Sequence, residues 1–204
     1  MTTTETKKAN ALEQLAADHK ELIELCKGLT PEEWNAPSLC EGWRVRDVVA
    51  HIIGGQQDLM AYLTSAGGNK ANQKMIEKRR NISTGELIHQ LEAITDKPVW
   101  LVKLGTSIFI YDNWVHQQDI RWPLGKDRKQ DPERLRIVLG TLSKRGAKNL
   151  TQRNQRMVAT DMDWQLGEGS DEICGPAEAL AMFLAGRRKA ALERLSGPGV
   201  DKLK

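Results

Sequence analysis

Aromatic rings, sulfur, long apolar runs and an excess of one charge are all scarce in this chain, and each shortage removes a class of protein. Its 204 residues include two Phe and two Tyr against six Trp. These rings are not interleaved with basic residues along one stripe, as a stacking platform for nucleic acid would need. The three cysteines, Cys26, Cys40 and Cys174, are odd in number, widely spaced and without a C-x-x-C pair. That excludes a disulfide framework and reads as free thiols in a reducing cytoplasm. No stretch approaches the roughly 18 apolar residues of a membrane span, and the polar start MTTTETKKAN is no signal peptide. Thirty basic residues against 27 acidic leave a formal charge of +3. The basic residues are scattered apart from Lys78-Arg79-Arg80 and Arg187-Arg188-Lys189, which is no footprint for nucleic acid.

What is present is helical periodicity. A helix is expected from about Ala9 to Gly28, with Leu12, Leu15, Leu22, Leu25 and Leu29 as its apolar stripe. Thr30, Pro31 and Glu33 form a capping-box start for one turn of helix ending near Trp34. A second long helix is expected from Val45 to Ser65, with Asp47 in its first turn and His51 on the flank of its inward face. Ala66 to Ala71 reads as a Gly-rich loop, followed by helices over Gln73–Arg80, Thr84–Thr95 and Pro132–Leu150. The period then alternates. Met157–Leu166 and Glu172–Cys174 read as two strands around Gly167–Ser170, before a last helix from Pro176 to about Leu195. The fold class is therefore mainly α: residues 1–150 form a helical bundle and residues 151–204 a short αβ appendage.

The chain is organised around Ser107–Leu124, read as one helix with Ile108, Tyr111, Val115 and Ile120 inward. Asp112, His116 and Asp119 share that face, turn above turn. A buried unpaired carboxylate costs several kcal/mol, so a carboxylate and an imidazole there call for a compensating partner such as a metal ion. His51, Asp112 and His116 would give three ligands on facing helices with one position open, the pattern of a catalytic zinc site. The same set also fits iron(II) as a facial triad. Asp119 and Asp47 would then orient the ligand imidazoles. The plainer alternatives are a satisfied core histidine at His51, and Asp112 paired with His116 or Arg121. His19 and His89 sit in charged contexts that suggest solvent, and Cys40 reads as structural.

Leu39-Cys40-Glu41-Gly42-Trp43-Arg44-Val45-Arg46-Asp47-Val48-Val49-Ala50-His51 resembles the opening signature of the mycothiol-dependent maleylpyruvate isomerase family, part of the DinB-like superfamily. The run from Asp112 to Arg121, ending in Leu124-Gly125, is similar to that family's second signature. Gly175 to Leu180 and Ala185-Gly186-Arg187 resemble its C-terminal segment, which looks shorter here than in the isomerase itself.

The resemblance implies a DinB-like four-helix bundle holding a divalent metal, usually zinc, through His51, Asp112 and His116; Fe2+ or Ni2+ also fit. It implies an enzyme that uses a low-molecular-weight thiol such as mycothiol on a small electrophile, by S-transfer or cis-trans isomerisation. The alternative is a non-catalytic stress or regulatory protein of the same fold. Arg187 is the candidate for holding a carboxylate of substrate or thiol, against a plain surface ion pair. The expected partners are the thiol and the substrate, without nucleic acid or membrane, and the chain is a monomer or homodimer in the cytoplasm. Two positions depart from the family. Asp112 stands where Glu is usual, which draws the metal towards the central helix. Arg44 replaces a Ser or Thr cap, which weakens the helix start by about 1 kcal/mol.

Overall fold

The computed structural model describes residues 3–58, 61, 64–65 and 67–203, and the chain divides into two compact units, Met1–Asp127 and Arg128–Lys204. The first unit is all helix: α1 (Thr3–Lys27), α2 (Pro31–Asn35), α3 (Val45–Gln57), α4 (Gly68–Lys78), α5 (Thr84–Asp96), α6 (Trp100–Leu104) and α7 (Thr106–Arg121). Helix α1 packs on α5 and α7, and α3 packs on α4, α5 and α7. Leu22, Ile23, Val45, Val48, Val49, Ile52, Leu87, Leu91 and Ile120 fill the shared core. Each such side chain contributes about 1.5–3 kcal/mol when fully buried.

The starts of the helices follow from local chemistry. Thr30 Oγ1 accepts from the Glu33 N–H at 3.2 Å and Glu33 Oε2 accepts from the Thr30 N–H at 2.9 Å, the expected capping box. At α3 Arg44 supplies no side-chain cap, and the carboxylate of Asp47 reaches back to it instead. Its Oδ2 accepts from the backbone N–H and Nε of Arg44, both at 3.0 Å, and its Oδ1 from Nη2 at 3.1 Å. Burial works against that carboxylate, yet the Arg44 guanidinium and N–H hold it below the usual range.

Several expectations need correcting. Helix α3 ends at Gln57, and the rest of the expected span to Ser65 falls partly outside the described residues. Helix α4 starts already at Gly68, inside the expected loop, because Ala71 and Met75 one turn apart are buried. A short helix, α6, precedes the central one, which runs Thr106–Arg121 instead of Ser107–Leu124. Ile108 points outward at 59% exposed, while Ile110 and Trp114 are fully buried. The apolar row of α7 thus runs through 110 and 114, a phase that the polar neighbours of Trp114 conceal. His19 is 1% exposed, with its Nε2 3.0 Å from Gln56 Nε2, so its charged surroundings in sequence do not put it in solvent. His89 is exposed as expected.

In the second unit α8 (Pro132–Gln152) packs on a three-stranded sheet of β1 (Gln155–Ala159), β2 (Gln165–Leu166) and β3 (Asp171–Gly175), in the order β2-β1-β3. Met157 faces Leu166 on the antiparallel side and Ile173 on the parallel side. Because α8 also packs on α9 (Ala177–Leu184), the division of units falls ahead of α8, where the sequence placed it after that helix. The single C-terminal helix expected to Leu195 is instead α9 and α10 (Arg188–Leu192), interrupted at Gly186 with φ +91°, and α11 (Pro198–Asp201) follows. Mostly helical structure with one small sheet is the fold class read from the sequence. No described helix is long and apolar enough to cross a membrane.

Candidate metal centre

Helix α3 carries His51 one turn beyond Asp47, and α7 carries Asp112, His116 and Asp119 on successive turns. The two helices bring these side chains together. His51 Nε2 lies 3.6 Å from Asp112 Oδ2, and His116 Nε2 lies 3.6 Å from Asp112 Oδ1. Both separations are too long for hydrogen bonds. They are close to the ~3.4 Å between neighbouring ligand atoms around a tetrahedral ion with bonds of ~2.1 Å. Burial is uneven in a useful way: His51 and His116 are buried, while the Asp112 side chain is 39% exposed and leaves an approach from solvent. Trp43 closes another side. Its ring centroid lies 5.2 Å from that of His51 and 6.2 Å from that of His116, nearly parallel to the latter.

The far nitrogen of His116 is fixed as well. Asp119, fully buried, places Oδ2 2.8 Å from His116 Nδ1, so Nδ1–H donates and Nε2 faces Asp112. Burial opposes a charge on this ring. Asp112, Asp119 and the Cys40 thiol outweigh it and push His116 up to about 10. The surroundings of Nε2 therefore favour positive charge, which a divalent cation can supply in place of the proton. Two imidazole nitrogens and a carboxylate converging in such surroundings fit a zinc-like ion.

Not every candidate joins the cluster. Asp47, expected to orient an imidazole, gives its oxygens to Arg44, and the buried Nδ1 of His51 has no partner among the described residues. Arg187 lies in the second unit, where Nη1 donates to the Ala185 carbonyl at 2.9 Å. Cys40, read as structural, is placed at the centre instead. Its thiol donates to Asp119 Oδ2 at 3.0 Å and lies 3.6 Å from His116 Nδ1. The signal for it was its place in the first signature, three residues ahead of Trp43.

Comparison with known proteins bears on the family and the fold. Residues 15–98 match the family model described as the mycothiol maleylpyruvate isomerase N-terminal domain, a span that includes His51 and stops short of Asp112. A crystal structure of the mycothiol-dependent maleylpyruvate isomerase superimposes with a TM-score of 0.64 at 13% identity, over 97% of this chain and 95% of that one. A histidine-to-alanine mutant of that isomerase gives a TM-score of 0.62 at 13% identity, with the same coverage of 97% and 95%. No curated protein matches the sequence. The resemblance is thus borne out over residues 15–98 by the family model and in fold by the solved structures.

Proposed function

We propose that this protein is a metal-dependent enzyme that uses a low-molecular-weight thiol, mycothiol or a close equivalent, on a small electrophilic substrate. The reaction is S-transfer or cis-trans isomerisation, as in the maleylpyruvate isomerase named by the comparisons. The observation that carries the reading is the convergence of His51 Nε2, His116 Nε2 and the Asp112 carboxylate beside a solvent approach.

His51, Asp112 and His116 would hold a divalent cation, zinc being the best match to the donors, and it would supply a Lewis acid that lowers the pKa of a thiol bound beside it. The protein's own groups prepare that site. Asp119 holds the Nδ1 proton of His116, which keeps the Nε2 lone pair aimed at the cation. Asp112 contributes the one anionic ligand and lies at the open edge, next to incoming thiol and substrate. Trp43 covers both imidazoles and keeps water off that side, which strengthens every charge interaction within.

Metal analysis and calorimetry together test the reading. Purified wild type should bind a divalent ion that His51→Ala and His116→Ala each lose. The metal-loaded protein should then bind mycothiol or a similar small thiol at least ten times more tightly than the metal-free form. Equal metal content in all three proteins would place the site elsewhere. Loaded protein that ignores every thiol offered would favour a metal-binding stress or regulatory protein without turnover.

A further inference from the structure

The second nitrogen of His116 belongs to a separate cluster of donor atoms. Cys40 Sγ, Asp119 Oδ2 and His116 Nδ1 lie 3.0, 2.8 and 3.6 Å apart in the three pairings Sγ–Oδ2, Nδ1–Oδ2 and Sγ–Nδ1. Orienting His116 needs only the carboxylate. The thiol adds a soft donor to the same oxygen, and it is held in place from its own backbone. Cys40 N–H donates to Ser38 Oγ at 3.1 Å, and its carbonyl accepts from the Trp43 N–H at 3.0 Å. Cys40 is half-buried while His116 and Asp119 are buried, so solvent reaches the cluster from the cysteine side.

We propose that Cys40, His116 Nδ1 and Asp119 form a second metal site, for a soft divalent ion such as zinc or cobalt(II), with His116 shared between the two centres. The ligand geometry supports it. Around a tetrahedral ion bonded at ~2.3 Å to sulfur and ~2.05 Å to nitrogen, the S···N edge is ~3.6 Å, as found. The two contacts to Asp119 are hydrogen-bond lengths and open by about half an ångström when an ion replaces the protons. With the first site filled, the Cys40 thiol proton and the His116 Nδ1 proton leave to solvent as one dication enters. Charge balances and the imidazolate bridges the ions. With the first site empty, His116 keeps its proton on Nε2 and gives up the one on Nδ1, so that proton and the thiol proton leave as the dication enters.

The full-length protein, stripped of metal and titrated with cobalt(II), tests this directly. Wild type should take two equivalents, and the near-ultraviolet thiolate-to-cobalt charge-transfer band should grow with one of them. Cys40→Ser and Cys40→Ala should each fall to one equivalent and lose the band. His51→Ala should keep one equivalent with the band, because it removes only the first centre. Saturation of wild type at one equivalent without the band overturns the proposal and leaves the three-ligand reading intact. A band that persists in both Cys40 variants also overturns it, since the sulfur would then be Cys26 or Cys174. One equivalent with the band in both wild type and His51→Ala would instead remove the His51 centre and keep this one.

Discussion

Asp112 is the one anion in the three-ligand set, and its two oxygens face the Nε2 atoms of His51 and His116 at 3.6 Å each. Asp112→Asn keeps the shape and removes the charge. Losing partners one layer out from a metal already costs 10–100-fold in affinity, so this change should cost at least that much. Asp112→Glu should bind within about tenfold of wild type, because it restores the reach of the family's usual ligand. Competition with a chromophoric chelator measures both, and an Asn variant that binds as tightly as Asp would show the site to be misplaced. The spacing of four between Asp112 and His116 was readable because helical geometry fixes which side chains stack. Cys40 and His19 were not, since their partners are far along the chain. Asp119 lies 79 positions from Cys40 and Gln56 lies 37 from His19. The same burial explains the inert Cys26, whose thiol is pushed up to about 12 by desolvation despite Arg121 nearby.

Among the elements, α4 depends on close approach. A Cβ added to Gly54 on α3 would stand 2.6 Å from Cβ and 2.8 Å from Cγ of Met75 on α4. The near end of the methionine cannot swing aside, so α4 must move off. Gly54→Ala should destabilise the protein by about 1–3 kcal/mol, read as a lowered melting temperature, and adding Met75→Ala should not restore it, because alanine keeps the Cβ met at 2.6 Å while the lost thioether leaves a cavity. An unchanged melting temperature for the single variant would show that α3 and α4 do not pack at this distance. Buried Arg79 works on the same region. It donates to Asp58 at 2.5 Å, Gln57 at 2.9 Å, the Met75 carbonyl at 3.2 Å and Gln90 at 3.1 Å, tying the end of α3 to α4 and α5. Helix existence was legible here from the period of apolar residues. The early start of α4 was not, because Gly67 and Gly68 signal a loop until Ala71 and Met75 are known to be buried. The break at Gly186 likewise hides in an otherwise helical run from Ala177 to Leu192.

At the scale of the whole molecule, 30 basic and 27 acidic residues leave little net repulsion, so the pH dependence of stability comes from particular buried groups. His19 is the clearest. Desolvation by burial lowers its pKa from 6.5 to about 4, only partly offset by the neighbouring Asp18 carboxylate. Above pH 6.5 the ring is neutral in both folded and unfolded chains and contributes no pH dependence. As pH falls from 6.5 towards 4, the unfolded chain takes up a proton that the folded one refuses, so stability is lost across that window. The loss approaches about 3 kcal/mol by pH 4, because one proton refused across each pH unit of the window is worth ~1.4 kcal/mol. Below that, both states are protonated and the difference stays constant. Metal-free protein with chelator present keeps metal binding out of the measurement, and His116, whose pKa is raised, contributes alike to both proteins. Urea unfolding followed by circular dichroism at several pH values between 7.5 and 4.5 should show a steeper fall for wild type than for His19→Gln, whose amide can still meet Gln56 and does not titrate. Parallel curves for the two proteins would mean that His19 takes up its proton while folded, and the buried neutral imidazole would have to be given up.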